Sequence, residues 1–520
     1  MSPHDGSQSI SEPVSEPAFD TVSALSAPTK PMSAPVSVAV ELSHHISTES
    51  RLRQQSRLKM ASSFLTRDPS ILSLAAGLPS PALFPIEQVA ARVAMPEPES
   101  SRADGKWKGD GLRKNFTMEY SKTKQCTELG RSEYDLSRAL QYEQGTGSRK
   151  LLDFLKEHTA RIHKPQYSDW DCIMSGGNTH AMETVFRMLI NPGEYVIMEE
   201  FAFPETVDGL RPLRPRLIGI DVDAEGMRAD LLEDILENWD EVAREGKRPH
   251  VMYMVPTGQN PTGATIGSER REKIYALASK FDLVIVEDDP YYFLQMPAYV
   301  PHATIDYVPV PRTNEEFQAA LVPSMLSLDT DGRVLRLDSF SKVIAPGTRC
   351  GWITGAAVFI ERILRHNEVG LQFPSGISMA VLHGMLTEAW GQEMYLNWLV
   401  NLRAEYTVRR DVMLDAMEEN LPKEVTSWVA PAAGMFVWIE LSYDRHPRHG
   451  TLSREEVEQE LFEAAIASKV LIMPGTWFKV DYSGPSRSVF FRATFAAVAQ
   501  EDVREAIARF GDVLRRAYEI

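Results

Sequence analysis

Cysteine is nearly absent from this 520-residue chain, which carries only Cys126, Cys172 and Cys350. An odd number with neither metal nor redox spacing excludes a disulfide framework and points to a reducing compartment, taken here as cytoplasmic. Basic charge is also short, with 55 Lys and Arg against 72 Asp and Glu for a net charge of −17. That deficit argues against nucleic acid or an anionic membrane as the main partner. No apolar run is long enough to span a bilayer. Residues 1–48 have few large apolar side chains and much Ser, Pro and Ala, so they read as a tail too polar to offset its ordering entropy. They contain no arginine and carry Asp5, Glu12, Glu16 and Asp20, unlike a mitochondrial presequence. The final Tyr-Glu-Ile is not a peroxisomal address.

What remains is a chain with an ordinary apolar fraction of 43% and enough length for more than one domain. Helical patterning begins near residue 49, with Leu58, Ala61, Phe64 and Leu65 on one face. Residues 97–138 are polar and without sustained period, which reads as a long solvated loop, or else a lid or dimer arm. From Tyr142 to about Asn397, short apolar runs such as "YVIMEE", "HVMYMVP", "LVIVED", "VLRLDSF" and "CGWITG" alternate with helical stretches. This is the pattern of a largely parallel sheet covered on both faces. A long helix and a closing α+β region follow. No internal repeat is visible.

Ligands bind at the strand ends of parallel sheets, and four strand ends here carry chemistry. "SGGNT" places Gly176, Gly177, Asn178 and Thr179 between a strand and a helix, where free amides and the helix dipole favour a phosphate. A plain turn explains the same residues. In "GQNPTG", Pro261 biases Asn260 to an extended backbone. In "EDDPYYFLQ", Asp288 and Asp289 end an apolar run, costly unless a cation meets them, and either could instead cap the next turn. In "DSFSKVIAPGTRCGW", Lys342 sits beyond a buried strand with Ser339 and Ser341 before it and Arg349 seven positions on. A buried lysine can lose its proton and form a Schiff base, whereas a snorkelling one keeps its charge in water.

Together with "AAGLPSPALFP", "LQYEQGTG" and "FFRATF", these motifs resemble the fold-type I pyridoxal-phosphate aminotransferases, especially the fungal aromatic aminotransferases and the kynurenine/α-aminoadipate group. The resemblance covers nearly everything after residue 50. It implies an aspartate-aminotransferase-like α/β fold, with a large domain over 140–398 built on a mostly parallel seven-stranded sheet. The smaller α+β domain would come from 49–139 and 399–520. Lys342 would form the imine link to pyridoxal 5′-phosphate and shuttle the substrate proton. Asp288 would pair with the ring nitrogen, and Tyr291 and Asn260 would hydrogen-bond the ring oxygen. Phe203 would stack on the ring; tyrosine is common there in relatives. Gly177, Asn178, Thr179, Ser339, Ser341 and Arg349 would hold the phosphate. Non-fungal relatives often carry Ser-Gln in place of Asn178-Thr179, so only the backbone amides carry over securely. Tyr142 would reach the partner subunit's phosphate, which implies a homodimer with shared sites. Arg492 would clamp the substrate carboxylate, with Gly77, Asn260 and Tyr142 also at the substrate.

The implied activity is amino transfer from an aromatic L-amino acid, with kynurenine and 2-aminoadipate as further candidates, to a 2-oxoacid such as 2-oxoglutarate. Two rivals stand beside it. One is lyase or decarboxylase chemistry with the same cofactor. The other is a regulator carrying an aminotransferase-like domain, which needs a helix-turn-helix module that the polar N-terminus does not supply.

Overall fold

The computed structural model describes residues 37–60, 68, 70–72, 74, 77–106, 112–121, 133–302, 308–480 and 488–520. Two strands, β1 (Gln88–Pro96) and β2 (Leu112–Ser121), form an antiparallel hairpin. Seven more are β3 (Trp170–Ser175), β4 (Tyr195–Glu199), β5 (Arg216–Ile220), β6 (Val251–Met254), β7 (Val284–Asp288), β8 (Val334–Ser339) and β9 (Gly351–Ala356). They make one sheet in the order β3-β9-β8-β7-β6-β4-β5. Only β9 runs against the others, antiparallel to both β8 and β3.

Alternation along the strands explains why both faces are covered. Val196 and Met198, Val284 and Val286, and Leu335 and Leu337 join one buried cluster, while Ile197, Ile285 and Val334 join another on the opposite face. Helices α1 (Arg149–Ile162), α2 (Asn178–Leu189), α3 (Ser268–Lys280) and α4 (Ala357–Asn367) supply the covering. The first cluster takes Val185 of α2 and Ile363 of α4, and the second takes Ile274 and Leu277 of α3. A four-stranded antiparallel sheet closes the chain, with β10 (Thr426–Trp428), β11 (Phe436–Leu441), β12 (Met473–Pro474) and β13 (Val489–Thr494) in the order β10-β11-β13-β12. Its own core gathers Val437, Ile439 and Phe491 with Leu461 and Phe510 of the helices Arg454–Ala467 and Gln500–Tyr518. No described helix is long and apolar enough to cross a membrane.

The structure departs from the sequence reading in three places. The tail read as 1–48 ends earlier. Residues 1–36 lie outside the described residues, but 37–48 are laid on the large domain. Leu42 and Ile46 are buried there, Ala39 N–H donates to Asp169, and Val40 N–H donates to the Asp331 carbonyl. Two apolar anchors one helical turn apart and satisfied amides outweigh a disorder-prone composition. The segment 97–138 is not all loop, since β2 lies within it and pairs with β1 along its length. The hairpin's Val93, Met118 and Tyr120 pack with Leu151, Leu155 and Trp390, not with the core of the closing sheet. Finally, the boundary at 398/399 falls inside one continuous helix, Gly391–Asn420, which runs from one core into the other. The early helix is seen only over 57–60; Ala61, Phe64 and Leu65 lie outside the described residues.

Leu42→Ala should lower stability by the ~2–5 kcal/mol of a buried leucine truncation, read as a lower urea midpoint. A shift within ~0.5 kcal/mol, typical of a surface change, would mean that this segment is the loose tail its composition suggests.

Candidate active site

The parallel strands β3, β6, β7 and β8 all end at one edge of the sheet, and β9 begins there. Gly351 of β9 pairs with both Ser175 and Ser339. Reversal of that one strand therefore delivers Arg349, just before it, to the edge where its neighbours finish. Arg349 has φ 47°, and its Nη2 donates to the Gly176 carbonyl at 2.9 Å while Nη1 faces Ser341 Oγ at 3.4 Å. Ser339 and Ser341 hydroxyls lie 2.9 Å apart. Gly177 opens α2 at φ 86°, and a Cβ there would come within 2.7 Å of Arg349 Nη2. Glycine is required both by the backbone conformation and by the guanidinium beside it. A helix N-terminus, two hydroxyls and an arginine thus surround one small space, the donor set of a phosphate site.

Asp288 ends β7 on the pleat face opposite Glu287 and Asp289. Its Oδ1 accepts from Asn178 Nδ2 at 2.6 Å and its Oδ2 from Tyr253 Oη at 2.7 Å. Burial pushes its pKa up, while those two hydrogen bonds and the charge of Lys342 pull it back down. Asp289 turns instead to Thr257 at 3.1 Å and to Arg336 at 3.2 Å. The pleat therefore turns Asp288, the carboxylate that the resemblance singled out, and not Asp289, toward Asn178 and Tyr253. Burial pushes the Lys342 pKa below its ordinary value, opposed by Asp288 and reinforced by Arg349 and Arg492. All three charged groups act on one amine, so these separate motifs converge.

Arg492 lies on β13, opposite Trp438 of β11. Its guanidinium sits between the rings of Phe436 and Phe478, 4.5 and 4.6 Å from their centres, and Nη1 donates to Asn260 Oδ1 at 2.7 Å. Its buried Nε has no partner. Desolvation lowers its pKa, and the neighbouring Tyr291 opposes this. Tyr291 is buried edge-on to Phe436, and its own pKa is pushed up by burial. Phe203 is half-buried just before the helix Pro204–Leu210, and Thr179 is exposed in the first turn of α2.

Two residues expected at the site are not brought to it within this chain. Gly77 is exposed, with nothing within 4 Å of where a Cβ would stand. Tyr142 is 58% exposed and lines a separate concavity with Pro79, Phe373 and Ile377. Asn178 does more than present an amide, because its side chain is committed to Asp288. Two residues were missed. Tyr253, a lone phenol in the apolar run "HVMYMVP", must find an acceptor, and that was the available signal. Glu199, fully buried, accepts from Val255 N–H at 3.0 Å and from Gln259 Nε2 at 3.3 Å, bracing the turn that carries Asn260. Burial pushes its pKa up to about 8, and an acidic "MEE" strand end gave no hint of that.

A family model described as aminotransferase class I and II matches residues 118–510. The chain is 43% identical over 484 residues to an aromatic amino acid aminotransferase of Schizosaccharomyces pombe, covering 92% of this chain and 98% of that one. The chain belongs to the class I and II aminotransferases. It is 32% identical over 523 residues to an L-tyrosine:2-oxoglutarate aminotransferase of Tapinella panuoides, covering 92% and 97% of the two chains. Among solved structures it is similar to the aminotransferase Aro8 of Candida albicans, with a TM-score of 0.84 and 38% identity over 93% of this chain and 100% of that one.

Members of this family use pyridoxal 5′-phosphate, and the site of this aminotransferase fits that group. The cradle at Gly177 would be closed by any Cβ, Asn178 Oδ1 is buried without a partner, and the buried Asp288 carboxylate faces the same space as Lys342. A phosphate, a ring and a protonated ring nitrogen answer these features in turn. Tyr253→Phe removes a donor that holds Asp288 down, so the Asp288 pKa rises. The acid limb of the activity profile should then move up by about one pH unit, the worth of a charged hydrogen bond. An unmoved acid limb would show that Asp288 does not govern it.

Proposed function

We propose that this aminotransferase moves the amino group of an aromatic L-amino acid to a 2-oxoacid such as 2-oxoglutarate. The observation that carries this reading is the convergence of Asp288, Arg349 and Arg492 on the Lys342 amine. When bound, the cofactor supplies an electrophilic carbon and an electron-withdrawing ring. The remaining work falls to the protein. Gly177, the first amides of α2, Ser339, Ser341 and Arg349 would hold the phosphate. Asp288 would offer its carboxylate to the ring nitrogen, held by Tyr253 and Asn178. Lys342 Nζ, its pKa lowered by burial, takes the proton from the substrate α-carbon and returns it. Arg492 binds the α-carboxylate by two parallel hydrogen bonds, and its two flanking rings and Asn260 fix the guanidinium plane.

Aromatic donors are supported by the names of the relatives and by the surroundings of β13. Phe490 lies on the same face as Arg492, stacks on Trp438 at 5.1 Å and meets Phe201 edge-on at 5.5 Å. Such a wall suits a flat apolar side chain. We further propose a homodimer in which Tyr142 completes the neighbour's site. Its exposure and the exposed Leu72, Leu74, Leu83 and Val369 support this. A cytoplasmic setting is supported by the free, buried Cys172 and Cys350.

Lys342→Ala should abolish turnover while still binding cofactor weakly. Arg492→Leu should raise the donor KM by about 10²-fold, the ~3 kcal/mol of a lost charged pair of contacts. With phenylalanine or tyrosine as donor, one 2-oxoacid should be consumed per donor. Donor consumption without a 2-oxoacid would instead favour lyase or decarboxylase chemistry.

A further inference from the structure

At the opposite edge of the sheet, where β4, β6 and β7 begin, four side chains form an unbroken chain. Glu194 Oε2 meets His250 Nε2 at 3.3 Å, His250 Nδ1 meets His45 Nδ1 at 3.1 Å, and His45 Nε2 meets Asp282 Oδ1 at 3.1 Å. His44 Nε2 reaches the other oxygen of Asp282 at 2.7 Å. His45 is buried and its ring is stacked on His250, with centres 5.3 Å apart.

The protons in this chain do not add up. Each of its three gaps lies between two acceptors and needs one proton. Two neutral imidazoles supply one N–H each. Asn191 donates to Glu194 through its backbone N–H at 2.7 Å and its amide at 3.1 Å, so that carboxylate is held as an acceptor. With both rings neutral, His250 then donates to Glu194 and His45 donates to His250. The Nε2 lone pair of His45 is left facing an Asp282 oxygen.

A second proton on His250, paired with Glu194, would complete the count, and so would a metal ion on His45. We propose that His44, His45 and Asp282 bind a borderline divalent transition ion of the zinc class, with water as the fourth ligand. One ligand atom from each lies within 4.8 Å of the others. Both histidines offer Nε2, and nitrogen and carboxylate donors suit such an ion. His45 would then use Nε2 for the metal and Nδ1–H for His250, which passes its own N–H to Glu194. This is the hydrogen-bonded support that metal-bound histidines generally have. His44 is 54% exposed, so its ring can back away to the ~3.3 Å ligand spacing of a tetrahedral site. Arg333 Nη1, 3.5 Å from Asp282 Oδ1, opposes the added charge, and its bonds to the Leu283 carbonyl at 2.9 Å and to Asp331 at 2.9 Å hold it to one side. Asp282 stands six residues before Asp288 along extended chain, about 20 Å away. The metal's role is to pin segment 37–52 to the large domain. The sequence could not show the site, because the adjacent histidines and the aspartate are 237 residues apart.

The test uses full-length, cofactor-loaded protein stripped with a chelator, beside His44→Ala and Asp282→Asn. Both altered positions are partly exposed and outside the catalytic machinery, so these variants should fold and keep their activity. Calorimetry with Zn²⁺ should give one equivalent per chain in the parent and none in either variant. Co²⁺ should give the intense visible bands of a four-coordinate site, and Zn²⁺ should raise the Tm of the parent alone. Equal uptake by Asp282→Asn, or no saturable uptake by the parent, overturns the proposal. So does a parent that ignores zinc but gains stability as pH falls below 6, since a proton would then fill the gap.

Discussion

A carboxylate and an amine brought together at the ends of two adjacent parallel strands are what the rest of this protein is arranged around. Asp288 lies opposite Leu337 in the register of β7 and β8, and Lys342 follows a few residues later. Neither charge belongs in a buried setting alone. Each makes the other tolerable: burial displaces both pKa values, and each partner draws the other's back toward its ordinary value. The groups proposed to meet the cofactor's phosphate, ring nitrogen and reactive carbon are placed around this pair.

The opposite face of the same strands carries a second charge cluster with no chemical task. Arg336 meets Glu287 at 3.1 Å, Asp289 at 3.2 Å and Asp338 at 2.9 Å, all in the interior. Glu287 also accepts from the amides of Met325 and Leu326. The three consecutive acids of "EDD" are thus divided by the pleat, two to this ion network and one to Asn178 and Tyr253. A shift of one residue in register would exchange these positions, so the ion cluster fixes which carboxylate faces Asn178 and Tyr253.

Much of this was legible in the sequence. The apolar runs ending in "VED" and "LDS" announced buried strands, and the residues that follow them had no reason to be polar unless a ligand met them. The family resemblance carried the individual roles. What could not be read was whatever depends on distant pairing. Asn178 looked like part of a phosphate turn, and only the fold shows its side chain bound to a carboxylate 110 residues away. Tyr253 and Glu199 sit inside apolar runs, and periodicity says nothing of their partners. The strap at Leu42 and Ile46 was hidden by a composition typical of disorder, because two anchors in twelve residues barely change an average. Strand β2 was hidden by its polarity, since its pairing with β1 is made by backbone groups.

The central claim is that Lys342 is the residue joined to the cofactor. Borohydride reduction of the loaded protein, followed by digestion and mass spectrometry, tests it most directly. The account predicts one pyridoxyl-tagged peptide, the one containing Lys342. A tag on a different lysine, or none in a fully loaded sample, would contradict it.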